Sequence, residues 1–138
     1  QDTCVMHGFP DSDPVVERNG HIGHGAVLHG CRIGTDALVG MNAVVMDNAR
    51  IGARSFVSAA AFVKAGFECP EQSLVMGTPA SVKRSLSDEE VHWKQTGTRE
   101  YQRLAQRCLE QMQECAPLSE PEADRPRISD SGLRPKGT

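Results

Sequence analysis

The sequence predicts a mainly β fold, a parallel β-helix with a triangular cross-section, followed by a C-terminal α-helix. Branched aliphatic residues recur at every sixth position of one continuous stretch: Ile33, Val39, Val45, Ile51, Val57 and Val63. A small residue stands four positions after each of the first five: Ala37, Ala43, Ala49, Ser55 and Ala61. The chain of 138 residues has only one Trp, one Tyr and four Phe against 13 Gly, which indicates a core of small and β-branched side chains.

A period of six fits neither an α-helix, with 3.6 residues per turn, nor an amphipathic strand, with a period of two. Three hexads, about 18 residues, would make one coil in which the aliphatic side chain points inward and stacks on the next coil. The small residue is expected at the bend, and Gly34, Gly40 and Gly52 are expected where the bend needs a positive φ. The alternative, a glycine-rich antiparallel sheet, would not keep a six-residue phase over five units.

The phase changes near the start of the repeat. Leu28 and Ile33 are five residues apart instead of six, so one residue has been dropped, and the gap lies beside His29. A local break in a consistent pattern is where function tends to lie. Upstream, residues 11–20 are predicted to form a loop and residues 1–7 a strand of an earlier coil. Because the chain opens on Gln1 in mid-pattern, we expect a processed or truncated product that lacks N-terminal coils or is stabilised by oligomerisation.

We predict three segments: the β-helix at 1–80, a C-terminal helical segment at 81–116 and a disordered tail at 117–138. The sequence Ser87-Asp-Glu-Glu90 is a capping box and predicts a short helix to about Trp93. A longer helix is expected from Thr98, with its apolar face packed on the flank of the β-helix. That face consists of Tyr101, Leu104, Ala105, Cys108, Leu109 and Met112.

Charge and composition exclude several classes of protein. The net charge of −3 argues against a nucleic-acid-binding protein. The longest uncharged stretch, 19–31, is too short and too polar to span a membrane, and no secretory signal is visible. Five cysteines without a disulfide spacing favour reduced thiols and a cytoplasmic location, and Cys31 is expected to pack in the core.

The histidines are the candidate functional residues. Four of the five lie within a short segment, at His7, His21, His24 and His29. Three neutral imidazoles with an open fourth position form a catalytic zinc site, in which bound Zn²⁺ lowers the pKa of water to about 7 and supplies hydroxide.

Spacing along the chain limits which histidines can act together. His24 and His29 are five residues apart and should lie on different faces of the prism, so the spacing favours a metal between subunits, with His7 one coil away from a partner. His21 is the least suited ligand, and a solvent or second-sphere role fits it better. The alternative is that all of them are ordinary turn histidines.

Three motifs resemble the γ-class carbonic anhydrase-like family of hexapeptide-repeat proteins. They are Gln1-Asp2 with Val5-Met6-His7, Gly23-His24 through His29-Gly30-Cys31-Arg32-Ile33-Gly34, and Val39-Gly-Met-Asn42. His92-Trp93-Lys94 and Gly77-Thr-Pro-Ala80 are most similar to the branch encoded with phenylacetate and carnitine degradation. The resemblance covers residues 1 to about 113.

The resemblance implies a left-handed β-helix that forms a homotrimer with metal sites between subunits. The zinc ligands would be His7 and His29 from one subunit and His24 from its neighbour, with Fe²⁺ or Co²⁺ as alternative ions. Gln1 would help to position the metal-bound water, and Asp2 would lie at the subunit contact. Both are therefore candidate catalytic residues.

The sequence departs from the family where its archetype carries an acidic loop with a proton-shuttling Glu. Gly8-Phe9-Pro10 stands there, and Asp11, Asp13 and Glu17 are only loosely placed substitutes. Because attack on a thioester is less demanding of a shuttle, the resemblance implies a zinc-dependent acyl-CoA thioesterase, with CO₂ hydration as a further activity, in phenylacetate catabolism.

Two other functions stay open. Many hexapeptide β-helices are acetyltransferases that bind CoA between coils and use one His as general base. The third is a non-catalytic accessory or scaffold protein, for which the helix face of Leu104, Cys108 and Met112 could bind a partner.

Overall fold

A computed structural model describes residues 1–124 of the chain, and these form twelve strands and one helix. The described residues fall into two compact units, the first being Gln1–Thr98 and the second beginning at Arg99. The first unit contains the parallel β-helix that the sequence predicts. Up to Gly77, consecutive strands belong to different sheets, and each strand pairs in parallel with a strand one coil away. In the described part of the chain, no helix is long and apolar enough to cross a membrane.

The first sheet, here called the histidine face, carries two of the candidate ligands. Its four parallel strands are β1 (Val5–His7), β4 (Val27–His29), β7 (Val44–Val45) and β10 (Phe62–Val63).

The second sheet, here called the charged face, presents arginines outward. Its three parallel strands are β2 (Val15–Val16), β5 (Arg32–Ile33) and β8 (Arg50–Ile51).

The third sheet, here called the helix-covered face, packs against the start of the helix. Its strands are β3 (His21–Ile22), β6 (Leu38–Val39), β9 (Phe56–Val57), β11 (Ser73–Gly77) and β12 (Ala80–Ser85). The last strand is antiparallel to β11. The chain therefore does not leave the stack at Ala80, as the predicted segment boundary implied, but returns along β11 as a hairpin.

The hexad pattern gives the core that the sequence predicts. The six inward aliphatic residues from Ile33 to Val63 are at most 2% exposed, and so are the five small residues at the bends. Because every coil contributes the same side chains at the same places, the core is a set of columns along the axis of the β-helix.

The physical reason for glycine at positions 34, 40 and 52 differs from the prediction. Positive φ recurs every sixth residue at Gly30, Asp36, Asn42, Asn48, Arg54, Ala60, Gly66 and Gln72, and Gly34, Gly40 and Gly52 are not in this set. A Cβ at those three glycines would lie 2.7, 2.4 and 2.5 Å from backbone atoms of the next coil. Close approach of neighbouring coils, not backbone conformation, requires glycine there.

The strand register locates the dropped residue. Leu28 pairs with Val45, 17 residues on, whereas Ile33 pairs with Ile51, 18 residues on. The missing residue therefore lies between Leu28 and Ile33, as predicted. In the first coil Val5 pairs with Val27, and the added residues form a loop that ends before β2, so the loop is shorter than the predicted 11–20.

The C-terminal helix, α1, is one continuous helix (Asp88–Gln111) where the sequence predicted two. Its capping box is confirmed: the Glu90 N–H donates to Ser87 Oγ (3.2 Å), and the Ser87 N–H donates to the Glu90 carboxylate (3.0 Å). Val91, Lys94 and Thr98 are the buried residues of the helix.

The predicted apolar face further along α1 lies in the second unit. Its large side chains Tyr101, Leu104, Leu109 and Met112 are between 42 and 84% exposed. The packing of this face on the β-helix stays a prediction. Residues 112–124 have no helix or strand. The rest of the predicted disordered tail, 125–138, lies outside the described residues.

Candidate metal centre

His7 and His29 form a pair on the histidine face. They are register partners at the ends of β1 and β4, so their side chains lie on the same side of the sheet. Their rings are stacked with centroids 4.9 Å apart and an interplanar angle of 26°. His7 Nδ1 lies 3.0 Å from His29 Nε2. The structure thus brings two of the three predicted ligands into direct contact.

Asp47 holds the second ring nitrogen of His29. The His29 Nδ1–H donates to Asp47 Oδ1 over 2.8 Å, and about a quarter of each side chain is exposed. Asp47 was not among the site residues predicted from the sequence. The available signal was its position 18 residues after His29, one coil further along the chain.

Phe9 forms an apolar wall beside the histidine pair. Its ring packs edge-on against both imidazoles, with centroids 5.9 Å from His7 and 5.3 Å from His29. In the sequence, Phe9 stands out only because it lies where the family archetype has an acidic loop. The structure makes it part of the site.

His24 lies in a different group, at the corner before β4. Its Nδ1–H donates to the Asp2 carboxylate, and its backbone N–H donates to Gln1 Oε1 (3.1 Å). The hydrogen bond from His24 holds the pKa of Asp2 below its ordinary value. The predicted site residues therefore fall into two groups: His7 with His29, and His24 with Gln1 and Asp2. Within one copy, residues 1–124 contain no cluster of three metal-binding side chains.

His21 is half-buried at the helix-covered face. Its Nδ1 lies 3.1 Å from Thr98 Oγ1, and its Nε2 lies 3.2 Å from the Gln1 side-chain nitrogen. Burial, and then the charge of Lys94, lowers the pKa of His21. A neutral His21 can accept from Gln1 while it donates to Thr98.

Glu17 directly follows β2, and hydrogen bonds engage its carboxylate, so it is not a free proton shuttle. Its carboxylate accepts from Thr35 Oγ1 (2.9 Å), the Thr35 N–H (3.0 Å) and Arg32 Nε (2.8 Å). The Thr35 hydroxyl, and then Arg32, lowers the pKa of Glu17. Asp11 and Asp13 are exposed.

The cysteines near the histidines are not ready metal ligands. Cys31 is 2% exposed, and burial raises the pKa of its thiol to about 11. Cys4 Sγ donates to the Gly23 carbonyl oxygen at 3.1 Å. All five cysteines are free thiols, and the predicted packing role of Cys31 is confirmed.

Similar proteins of known sequence are carnitine operon proteins. The chain is 53% identical over 138 residues to CaiE of Proteus sp. (strain LE138), covering 99% of this chain and 70% of the relative. It is 56% identical over 128 residues to CaiE of Escherichia coli K12, covering 93% of this chain. The chain spans 65% of the length of that relative. No family model matches the chain.

Solved structures with the same fold carry transferase names. A Bacillus cereus protein assigned as an acetyltransferase has a TM-score of 0.73 and 33% identity, covering 75% of this chain and 60% of its own. A hexapeptide transferase family protein of Anaplasma phagocytophilum has a TM-score of 0.72 and 32% identity, covering 77% and 62%. The fold and these neighbours define a hexapeptide-repeat β-helix protein.

The relatives of known sequence identify the family within that class. Identity above one half over nearly the whole chain, with 70% of the Proteus relative covered, is enough to assign it. The chain belongs to the CaiE family.

Proposed function

We propose that this CaiE-family chain acts on acyl thioesters through a divalent metal held by His7 and His29 of one copy and His24 of another. Zn²⁺ is the first candidate, and Fe²⁺ or Co²⁺ would suit the same imidazoles. The observation that carries the proposal is the contact between His7 Nδ1 and His29 Nε2, with Asp47 behind His29.

The histidine pair has the spacing of two ligands of one ion. Two nitrogens about 2.0–2.1 Å from a tetrahedral zinc are about 3.3 Å apart. His7 Nδ1 and His29 Nε2 are 3.0 Å apart. Asp47 accepts from Nδ1 of His29, so the lone pair of His29 lies on Nε2, the nitrogen that faces His7 and would face the ion.

The third ligand needs a second copy. His24 is about half exposed at a corner of the β-helix, and its Nδ1 is engaged by Asp2, which leaves Nε2 available. Residues 1–124 of one copy provide no third metal-binding side chain beside His7 and His29. A symmetric assembly that brings the corner of one copy to the histidine face of the next would complete the set, and a homotrimer is the assembly we expect.

The histidine face has the surface for such a contact. Its outward column is apolar and consists of Val5, Val27, Val44 and Phe62. Val5 and Phe62 are exposed, and the other two are half-buried. An apolar column beside an incomplete ligand pair supports contact with another copy of the chain.

The surroundings of the pair favour a thioester as substrate. Bound zinc would polarise a carbonyl group and activate water at neutral pH. Phe9 offers an apolar wall to an acyl group, and Glu17 is tied to Thr35 and Arg32, so it does not relay protons. Gln1 and Asp2 arrive with His24 and would orient water and the imidazole. Fast CO₂ hydration depends more on proton relay and is the less suited reaction.

Acyl transfer is the second candidate, and the transferase names of both solved structures favour it. His29 with Asp47 at 2.8 Å is an oriented base that could take a proton from an acceptor hydroxyl or amine without a metal. A cytoplasmic location and a role in phenylacetate catabolism are part of the proposal for either reaction. A non-catalytic accessory role is the third possibility.

Measurements of metal content and thioester hydrolysis test the leading proposal. Purified wild-type protein should contain about one zinc per chain and release free CoA thiol from acetyl-CoA. His24→Ala should lose metal and hydrolysis together, whereas His92→Ala, on the exposed side of α1, should lose neither. Full activity in His24→Ala would show that the metal mechanism is wrong.

Mixed assemblies test whether the ligands come from different copies. Neither His24→Ala nor His29→Ala chains alone should be active, but a refolded mixture contains sites with all three histidines. Recovery of activity in the mixture supports the shared site, and no recovery contradicts it. Acyl transfer to an acceptor in the presence of a chelator would favour the second candidate, and zinc-free inactive wild-type protein would favour the accessory role.

A further inference from the structure

We propose that Asp47 is a positioning residue that fixes the protonated nitrogen of His29, and that Gly30 maintains the space for it. This inference rests on the proposed function for its consequence, since the oriented nitrogen is the one that faces the metal. The hydrogen bond from His29 Nδ1–H to Asp47 Oδ1 is 2.8 Å long. A carboxylate can only accept, so His29 must carry its proton on Nδ1, with Nε2 directed at His7.

The dropped residue explains how Asp47 reaches His29. Leu28 pairs with Val45, and the Asn48 N–H donates to the Gly30 carbonyl oxygen (2.8 Å). Between these two links one coil has only His29, whereas the next has Met46 and Asp47. Two residues therefore stand opposite one, and the carboxylate of the second of them, Asp47, lies beside both His29 and Gly30 of the shortened coil.

The backbone around Asp47 is held in place. The Asn48 bond to Gly30 fixes it to the coil before, and the Gly66 N–H donates to the Asp47 carbonyl oxygen (2.8 Å) from the coil after. A carboxylate on a backbone bonded from both sides loses little freedom when it binds His29. This is the arrangement that orients metal-binding imidazoles in other proteins.

Gly30 provides the space for this contact. Its φ is +54°, and a Cβ there would lie 2.7 Å from Asp47 Oδ1 and 2.8 Å from Ser12 Oγ. Ser12 Oγ in turn donates to the Gly30 carbonyl oxygen (3.2 Å), so it cannot withdraw freely. Alanine at this position would push the carboxylate away from His29.

Gly66 provides a matched control for Gly30. It has a φ of +68°, and a Cβ there would meet nothing within 4 Å. Gly30→Ala and Gly66→Ala thus share the cost of alanine in the left-handed region, and only the first displaces Asp47. A difference between the two variants in the His29 tautomer or in zinc affinity would therefore come from displacement of the Asp47 carboxylate.

The experiment reads the tautomer of His29 and the affinity for zinc separately. Long-range ¹H–¹⁵N NMR of the metal-free, full-length protein should show His29 with its proton on Nδ1. Asp47→Ala should lose this preference, and Asp47→Asn should keep it, because the amide oxygen still accepts. By chelator competition, Asp47→Ala should bind zinc about 10- to 100-fold more weakly, and Asp47→Asn less so.

Gly30→Ala should resemble Asp47→Ala in both measurements, and Gly66→Ala should resemble the wild type. A His29 proton on Nε2 in the metal-free wild type, or an unchanged zinc affinity in Asp47→Ala, would overturn the inference. Failure of the proposed function looks different, because then wild-type protein would bind no zinc while its His29 tautomer still depended on Asp47. If Gly30→Ala does not fold, the Asp47 variants decide alone.

Discussion

Phe56 and Phe62 occupy the same position in consecutive hexads, but they have different surroundings. Each is the outward residue before an inward valine, in β9 and β10 respectively. Phe56 is 4% exposed because Leu86 and Val91 cover it, whereas Phe62 is 38% exposed on the histidine face. The repeat determines the inward residue of each hexad, and what covers a face determines the role of the outward residue.

The same contrast separates His21 from His29. On the helix-covered face, His21 is half-buried beside Thr98 and Lys94, and burial lowers its pKa. On the histidine face, His29 meets His7 and Asp47. On the helix-covered face, polar residues hydrogen-bond to the helix. On the histidine face, which no helix of the first unit covers, polar residues can contact a ligand or another copy of the chain. The next three experiments test this contrast.

Phe56→Ala should give the largest loss of stability. Truncation of a buried Phe costs about 3–5 kcal/mol, from lost burial and the cavity left behind. Phe62→Ala should lower the free energy of unfolding by less than about 1 kcal/mol at dilutions where copies separate. Urea unfolding of both variants measures the difference. Equal losses would mean that the helix does not distinguish the two faces.

Phe62→Glu should weaken self-association while the chain stays folded. A carboxylate in the apolar column with Val27 and Val44 would have to be desolvated against another copy, and we expect an increase of about thirtyfold in the dissociation constant, near 2 kcal/mol. Sedimentation velocity measures it, with Phe62→Leu as the matched apolar control and circular dichroism to check folding. Unchanged association in Phe62→Glu would show that copies do not meet on this face.

Because of Lys94, which is buried at the helix-covered face, the free energy of unfolding of the protein should increase as the pH rises. Burial lowers the pKa of Lys94 to about 8, although Asp36 opposes the shift, and Lys94 Nζ donates to the Asn19 carbonyl oxygen at 2.6 Å. Between pH 7.5 and 9 the folded protein loses this proton while the unfolded chain, with a pKa near 10.4, keeps it. Because the unfolded state then binds more protons, stability rises by about 1 kcal/mol.

Comparison with Lys94→Met isolates this effect, since methionine keeps the apolar stem and lacks the charge. Urea unfolding at pH 7.5 and 9 should show wild-type protein gaining on the variant at the higher pH. A constant difference between the two proteins would contradict a buried, weakly basic Lys94.

Much of the fold could be predicted because each position of the hexad has its own packing requirement, and every coil repeats these requirements. The inward aliphatic column, the small bend residues, the dropped residue and the capping box all follow from local rules that one coil repeats. The roles of Gly34, Gly40 and Gly52 could not, because they depend on how closely the next coil approaches. The single helix was missed because Gly97 and Thr98 are poor helix formers whose cost the burial of Thr98 offsets.

The site was predictable only where residues of one type cluster in sequence. His7 and His29 stood out by residue type and by their spacing of one coil and a loop. Asp47 and Phe9 did not, since an Asp in a repeat and a Phe in a loop have many ordinary roles. Whether His24 completes the set is a property of an assembly and not of one chain, so the sequence of one chain predicts it only through the resemblance to a family.

The shortened coil at His29 has a consequence for engineering. A consensus redesign of the repeat would insert one residue after His29 to even out the periodicity, and most measures of regularity would improve. The inserted side chain would take the place of the Asp47 carboxylate and turn a specialised layer into an ordinary one. In this protein, the irregular coil places Asp47 beside His29, and a perfectly regular repeat would lose that contact.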